Sequence, residues 1–198
     1  SLRNTLELAR RFRETNADTP LILMGYANPI ESMGYDAFAQ AMHASGADGA
    51  IIVDLPPEED APLRAAFARH ALSIIRLATP TTDDKRLTKV LEGASGFLYY
   101  VTVAGVTGAN AATASAVRAA VERLKRATDL PIAVGFGVRE PDAARAIAST
   151  ADAVVVGSAF VDEIAAGSPD QAVERILRKV RLLSEAVRSA RAFEGTPA

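Results

Sequence analysis

The residues best suited to chemistry lie between Leu130 and Ser158. Pro131-Ile-Ala-Val-Gly135-Phe136-Gly137 and Ala151-Asp-Ala-Val-Val-Val-Gly157-Ser158 are short apolar runs, each closed by glycine where a helical pattern is about to begin. Runs of this length, rich in β-branched residues, predict strands buried on both faces. Glycine at such a turn lets backbone N–H groups approach a ligand closely, and the N-terminus of the following helix favours an anion. Each half also has a plainer reading, Gly-Phe-Gly as a tight turn and Gly-Ser as a helix cap. Together, one βα unit apart, they predict a phosphate site, placed where a βα-barrel keeps one, after its seventh and eighth strands.

Other reactive side chains divide between chemistry and structure. Asp54 follows a strand pattern, where barrel enzymes keep catalytic groups, but it equally suits a loop carboxylate that positions the Pro56-Pro57 turn. Glu58, Glu59 and Asp60 resemble an acid–base cluster, yet they fall where the first turn of a helix is expected, and acids there complement the macrodipole. Asp83 and Asp84 repeat that pattern. His43 and His70 sit late in helical patterns, and neither follows a strand. With two histidines, no cysteine and no His-Glu-x-x-His spacing, no metal site is expected. Nucleophile-elbow, Walker and dinucleotide fingerprints are absent from the sequence. Tyr26 and Tyr99 lie at or near strand C-termini; Tyr99 and Tyr100 must point to opposite sides of their strand. Core packing is one role for these rings. An apolar wall beside a phosphate is the other, suited to a ligand with one aromatic and one phosphorylated end.

The elements that must position these residues follow in order. Leu2, Leu6 and Ala9 mark an amphipathic helix over 2–15, with Phe12 at its margin. A strand over 21–24 leads into a loop from Gly25 to Pro29, then a helix through Phe38 and Met42 closed by Gly46. A strand over 50–53 precedes a helix over 58–70, and a strand over 72–77 precedes one over 83–92. The strand over 96–101 is followed by the Gly105-Val106-Thr107-Gly108 loop and a helix over 113–127. Beyond the glycine turns, Val173, Ile176, Leu177, Val180, Leu183 and Val187 set a long terminal helix. Alternating β and α with buried strands predicts an α/β parallel sheet. The expected architecture is a TIM (β/α)8 barrel present as six of its eight βα units plus a leading helix, in one domain over residues 1–190 with a frayed tail over 191–198. The chain opens at Ser1, within the first helical pattern, which reads as an N-terminal truncation.

Composition agrees with one globular domain. Of 198 residues 49% are hydrophobic and 23% charged, and the net charge of −2 offers no basic surface for nucleic acid. No apolar run approaches a membrane span, and no signal peptide is visible, so a cytoplasmic protein is expected.

Taken together, the loops resemble those of the tryptophan synthase α subunit family. The resemblance rests on Leu23-Met-Gly-Tyr-Ala-Asn-Pro29, Val53-Asp-Leu-Pro-Pro-Glu-Glu59, Gly105-Val-Thr-Gly108, Gly135-Phe-Gly137 and Gly157-Ser-Ala159, in the family's order and near its spacing. It implies a barrel lyase of tryptophan biosynthesis that cleaves indole-3-glycerol phosphate to indole and glyceraldehyde 3-phosphate. The partner it implies is a β subunit in an α2β2 heterotetramer, with pyridoxal phosphate in the β subunit and no cofactor in this one. By motif, the Gly135-Phe-Gly137 turn with Gly108, Gly157 and Ser158 binds the phosphate; Phe136 and Tyr99 flank the ligand; Tyr26 lines the indole side. Thr107 belongs to the loop that closes over the site, and Asn28, Asp54 and Pro56 face the partner. The family's catalytic glutamate and aspartate precede the segment that matches Ser1, so the resemblance gives no residue here a catalytic role. Two other readings are a different phosphosugar-binding barrel enzyme and a catalytically silent module that only docks a partner.

Overall fold

A computed structural model describes residues 1–102, 111–135 and 137–192. Helix α1 (Leu2–Arg13) is capped by Ser1, whose hydroxyl accepts from the Asn4 N–H, and it buries Leu6 and Ala9. Strand β1 (Ile22–Gly25) follows, then helices α2 (Ala27–Met33) and α3 (Tyr35–Ala44). Next come β2 (Gly49–Ile52), α4 (Ala61–Ala68), the short strands β3 (Ser73–Ile74) and β4 (Arg76–Ala78), and α5 (Asp84–Leu91). The remaining elements are β5 (Leu98–Val101), α6 (Ala111–Ala127), β6 (Ile132–Gly135), α7 (Pro141–Ala148), β7 (Ala153–Val155), α8 (Ser158–Ala165) and α9 (Ala172–Ala192).

Three departures from the sequence reading have physical causes. The stretch expected to be a loop from Gly25 to Pro29 is already helical from Ala27, because Pro29 falls in the first turn of α2, where a missing N–H costs nothing. The helix expected over 58–70 starts only at Ala61, so Glu58, Glu59 and Asp60 lie outside its first turn. The strand expected over 72–77 is interrupted at Ile75, giving β3 to a sheet ordered β1-β2-β3 and β4 to one ordered β4-β5-β6-β7. The pairs β1–β2, β2–β3 and β6–β7 are parallel, with Ile22 opposite Gly49 and Ala133 opposite Ala153.

By contact the chain divides into two compact units, one of residues 1–77 and 83–98, the other of 78–82 and 99 onward. In the first, Phe38 and Met42 of α3 pack with Leu63 and Phe67 of α4; the two phenylalanine rings lie 5.9 Å apart at a tilt of 34°. In the second, Val138, Ala144 and Leu183 form a cluster joined by Ile147, Val154, Phe160 and Val187. Helix α9 keeps Leu183 and Ala186 inside but leaves Val173, Leu177 and Val180 exposed, so only part of its expected apolar stripe is covered.

Each unit fixes the start of a strand pair with the same device. Asp48 donates its N–H to the Leu21 carbonyl, takes the Leu21 N–H on Oδ2 at 2.7 Å, and meets Arg13 from the end of α1. Asp152 donates to the Ile132 carbonyl, takes the Ile132 N–H on Oδ2 at 2.8 Å, and meets Lys125 from the end of α6 at 3.0 Å. Carboxylate and backbone thus satisfy each other on both sides of the pair, and a helix C-terminal cation adds its charge.

Candidate anion site and partner-facing loops

The second unit gathers the glycine turns at the C-terminal ends of its strands. Gly135 closes β6 opposite Val155 of β7. A Cβ there would come within 2.5 Å of the Val155 carbonyl oxygen and 2.6 Å of its Cβ, so glycine is what lets the two strands approach. The Gly135 carbonyl also accepts from the Thr102 N–H, just past β5, at 3.1 Å. Gly137 has φ +72°, a left-handed conformation that redirects the chain. Gly157 differs from both: it occupies the cap position of α8, and a Cβ built on it meets nothing within 4 Å. Past it, Ser158 opens α8, whose first N–H groups have no intrahelical acceptor and whose dipole favours negative charge. No acidic side chain lies in that first turn to compete with an anion.

Tyr99 and Tyr100 of β5 are both buried, at 8% and 5% exposure, and burial pushes both hydroxyls above their ordinary pKa. Arg123 partly opposes the rise at Tyr100. Each ring is buried apolar packing surface with a polar tip, and the two point to opposite sides of β5. Thr107, Gly108 and Phe136 lie outside the described residues.

The first unit carries the remaining candidates. Tyr26 stands before α2 and is 63% exposed. Asp54, exposed after β2, takes the Ala27 N–H on Oδ1 at 2.7 Å. Its carboxylate thus holds the N-terminus of α2 from the neighbouring loop, and Asn28 and Asp54 belong to one surface. Of its two readings, the positioning role is the one the geometry gives, with α2 as the object rather than the Pro56-Pro57 turn. Pro56 follows the buried Leu55 in the same connection.

Glu58 and Asp60 of the acidic stretch beyond Pro57 form ion pairs. Glu58 pairs with Arg86 of α5, and its carboxyl is held below the usual range by a backbone hydrogen bond first and by Arg86 second. Asp83 caps α5 by accepting the Arg86 N–H at 2.7 Å. Asp60 is fully buried against Arg76 and Arg64, which the sequence reading missed. The available signal was Arg76 itself, the one charged residue in the strand expected over 72–77. His43 and His70 bring their rings to 5.3 Å from each other, from α3 and from just past α4. Among the described residues no group of three or more His, Cys, Asp or Glu is placed to hold a metal.

Residues 1–188 match the family model for the tryptophan synthase alpha chain. The chain belongs to the tryptophan synthase alpha chain family. It is 54% identical over 193 residues to the tryptophan synthase alpha chain of Caulobacter sp. (strain K31), covering 96% of this chain and 70% of that one. The crystal structure of tryptophan synthase subunit alpha from Legionella pneumophila str. Paris superposes with a TM-score of 0.79 at 38% identity, over 96% of this chain and 69% of that one. A chain of the tryptophan synthase complex from Pyrococcus furiosus gives 0.82 at 31% identity, over 93% and 74%. Family membership makes this a chain of a TIM-barrel lyase of tryptophan biosynthesis, and its βα units are units of that barrel. No described helix is long and apolar enough to cross a membrane.

Proposed function

We propose that the chain binds indole-3-glycerol phosphate, the substrate its family's aldol cleavage turns into indole and glyceraldehyde 3-phosphate. The phosphate end belongs at the turns after β6 and β7, on backbone N–H groups of the Gly135–Gly137 and Gly157–Ser158 segments. The observation that carries this is Gly157: a glycine with open space where its Cβ would stand, at the N-terminus of a helix with no competing acid. Gly108 completes the phosphate end in this reading, and Thr107 belongs to the loop that closes over the site. It gives Phe136 and Tyr99 to the flanks of the ligand and Tyr26 to the indole side.

Proton placement on indole C3, and proton transfer at the indole nitrogen and the glycerol hydroxyl, need positioned acids and bases. Asp54, the carboxylate that follows β2, is engaged at the Ala27 N–H instead. The resemblance gives none of these roles to a residue of this chain, so the part assigned to it is grip, and grip alone does not accelerate the step. The β subunit is the partner, meeting Asn28, Asp54 and Pro56; pyridoxal phosphate is the β subunit's cofactor, and this chain takes none. A relative from Pyrococcus furiosus is described in an a2b2 complex, which supports the same assembly here. The compartment is the cytoplasm.

Competitive titration tests the substrate. Indole-3-glycerol phosphate should bind at least about tenfold more tightly than glycerol phosphate, a gain of about 1.4 kcal/mol from the aromatic end. Equal affinities, or a preference for a phosphosugar without an aromatic ring, would favour a different phosphosugar-binding barrel.

A further inference from the structure

We propose that Asp60 is a positioning residue that presents the β2–α4 connection, residues 53–60, to the β subunit. This rests on the reading that the connection faces that partner. Asp60 is 0% exposed, although α4 draws no capping hydrogen bond from its side chain. Its carboxylate lies between Arg76, the first residue of β4, and Arg64 of α4, whose Nε stands 3.0 Å from Oδ1. The Arg64 contact is an attraction of charges without hydrogen-bond geometry, which leaves Arg76 as the directed partner. Arg76 is itself buried, and burial pushes its pKa down while Glu58 and Glu92 oppose the shift.

A buried ion pair of this kind is a poor device for stability alone, because apolar residues of similar volume do as well. What it supplies is direction. Asp60 fixes one end of the connection to β4, and Asp54 fixes the other to the first turn of α2 at 2.7 Å. Between them Leu55 is buried and Glu58 is tied to α5 through Arg86. The side chains this leaves outward are Val53, Asp54, Glu58 and Glu59, with Asn28 alongside. With Glu58 paired to Arg86, the surface carries the carboxylates of Asp54 and Glu59 beside one apolar contact, and it fits a partner face carrying lysine or arginine. Preorganising it lowers the ordering cost of association.

The test compares Asp60→Asn and Arg76→Gln with the unmodified chain, titrating each with purified tryptophan synthase β subunit and, separately, with glycerol phosphate. Both variants should bind the β subunit at least tenfold more weakly while glycerol phosphate affinity stays within twofold. Parallel loss of both ligands would give the pair a merely structural role and overturn the inference. If Asp60→Asn does not fold by circular dichroism, Arg64→Met replaces it, since Arg64 is only partly enclosed; a threefold weakening toward the β subunit sustains the inference and none overturns it. An unmodified chain that binds the β subunit while the variants bind it equally well overturns this inference alone. One that does not bind the β subunit overturns the partner assignment, and the inference with it.

Discussion

Gly135, Gly137 and Gly157 occupy one stretch of sequence for three separate reasons. Gly135 admits the close pass of β6 by β7, Gly137 takes a left-handed turn, and Gly157 leaves a helix N-terminus open. Their presence at strand ends was legible in the sequence, but which of them guards space for a ligand was not, because that depends on a neighbouring strand. Substitution separates them. Gly135→Ala should destabilise the chain by roughly 1–3 kcal/mol, since its methyl would drive into Val155, whose backbone cannot rotate away. Urea denaturation checks this; an unchanged midpoint would mean the strands separate at no cost. Asp60 shows the opposite limit of sequence reading. Its local pattern suggests a helix start, whereas its partner Arg76 lies 16 positions on, beyond the reach of any helical periodicity.

At the scale of elements, the alternation of strand and helix was readable because buried parallel strands and amphipathic helices leave different periods. Two boundaries were not. Pro29 ends the expected loop yet lies in the first turn of α2, and the strand through Ile75 divides between two sheets for reasons that lie in its neighbours. The strand-start latches also carry a sequence signal: Ala47-Asp48 and Ala151-Asp152 each stand just ahead of a strand, and Pro20 and Pro131 each precede the residue latched. Replacing Asp48 with Ala removes the acceptor of the Leu21 N–H and the partner of Arg13 together. The expected loss is about 1–3 kcal/mol, measured by thermal or urea unfolding. Lys125→Ala, which removes only a half-exposed cation from Asp152, should cost no more than about 1 kcal/mol. Equal losses for both would place the energy in the ion pair rather than the backbone bond.

For the whole molecule, the described strands form two sheets, one with β1 and β3 at its edges and the other with β4 and β7. Met24 of β1 and Tyr26 just past it are exposed, and so are Val161, Ile164 and Leu177 on α8 and α9. Unpaired strand edges and apolar helix faces promote association. The 198-residue chain should therefore show a mass that rises with concentration in light scattering; a monomer across the micromolar range would mean that the edges are protected. None of that bears on whether the anion site exists. The most direct test is calorimetric titration of glycerol phosphate into the chain and its Gly157→Asp variant. An Asp side chain finds open space there, so the fold tolerates it, yet it sets a carboxylate at the N-terminus of α8 where the phosphate is proposed to sit. The account predicts binding by the unmodified chain and at least about tenfold weaker binding, about 1.4 kcal/mol, by the variant. Equal binding by the two would contradict it and place the phosphate elsewhere.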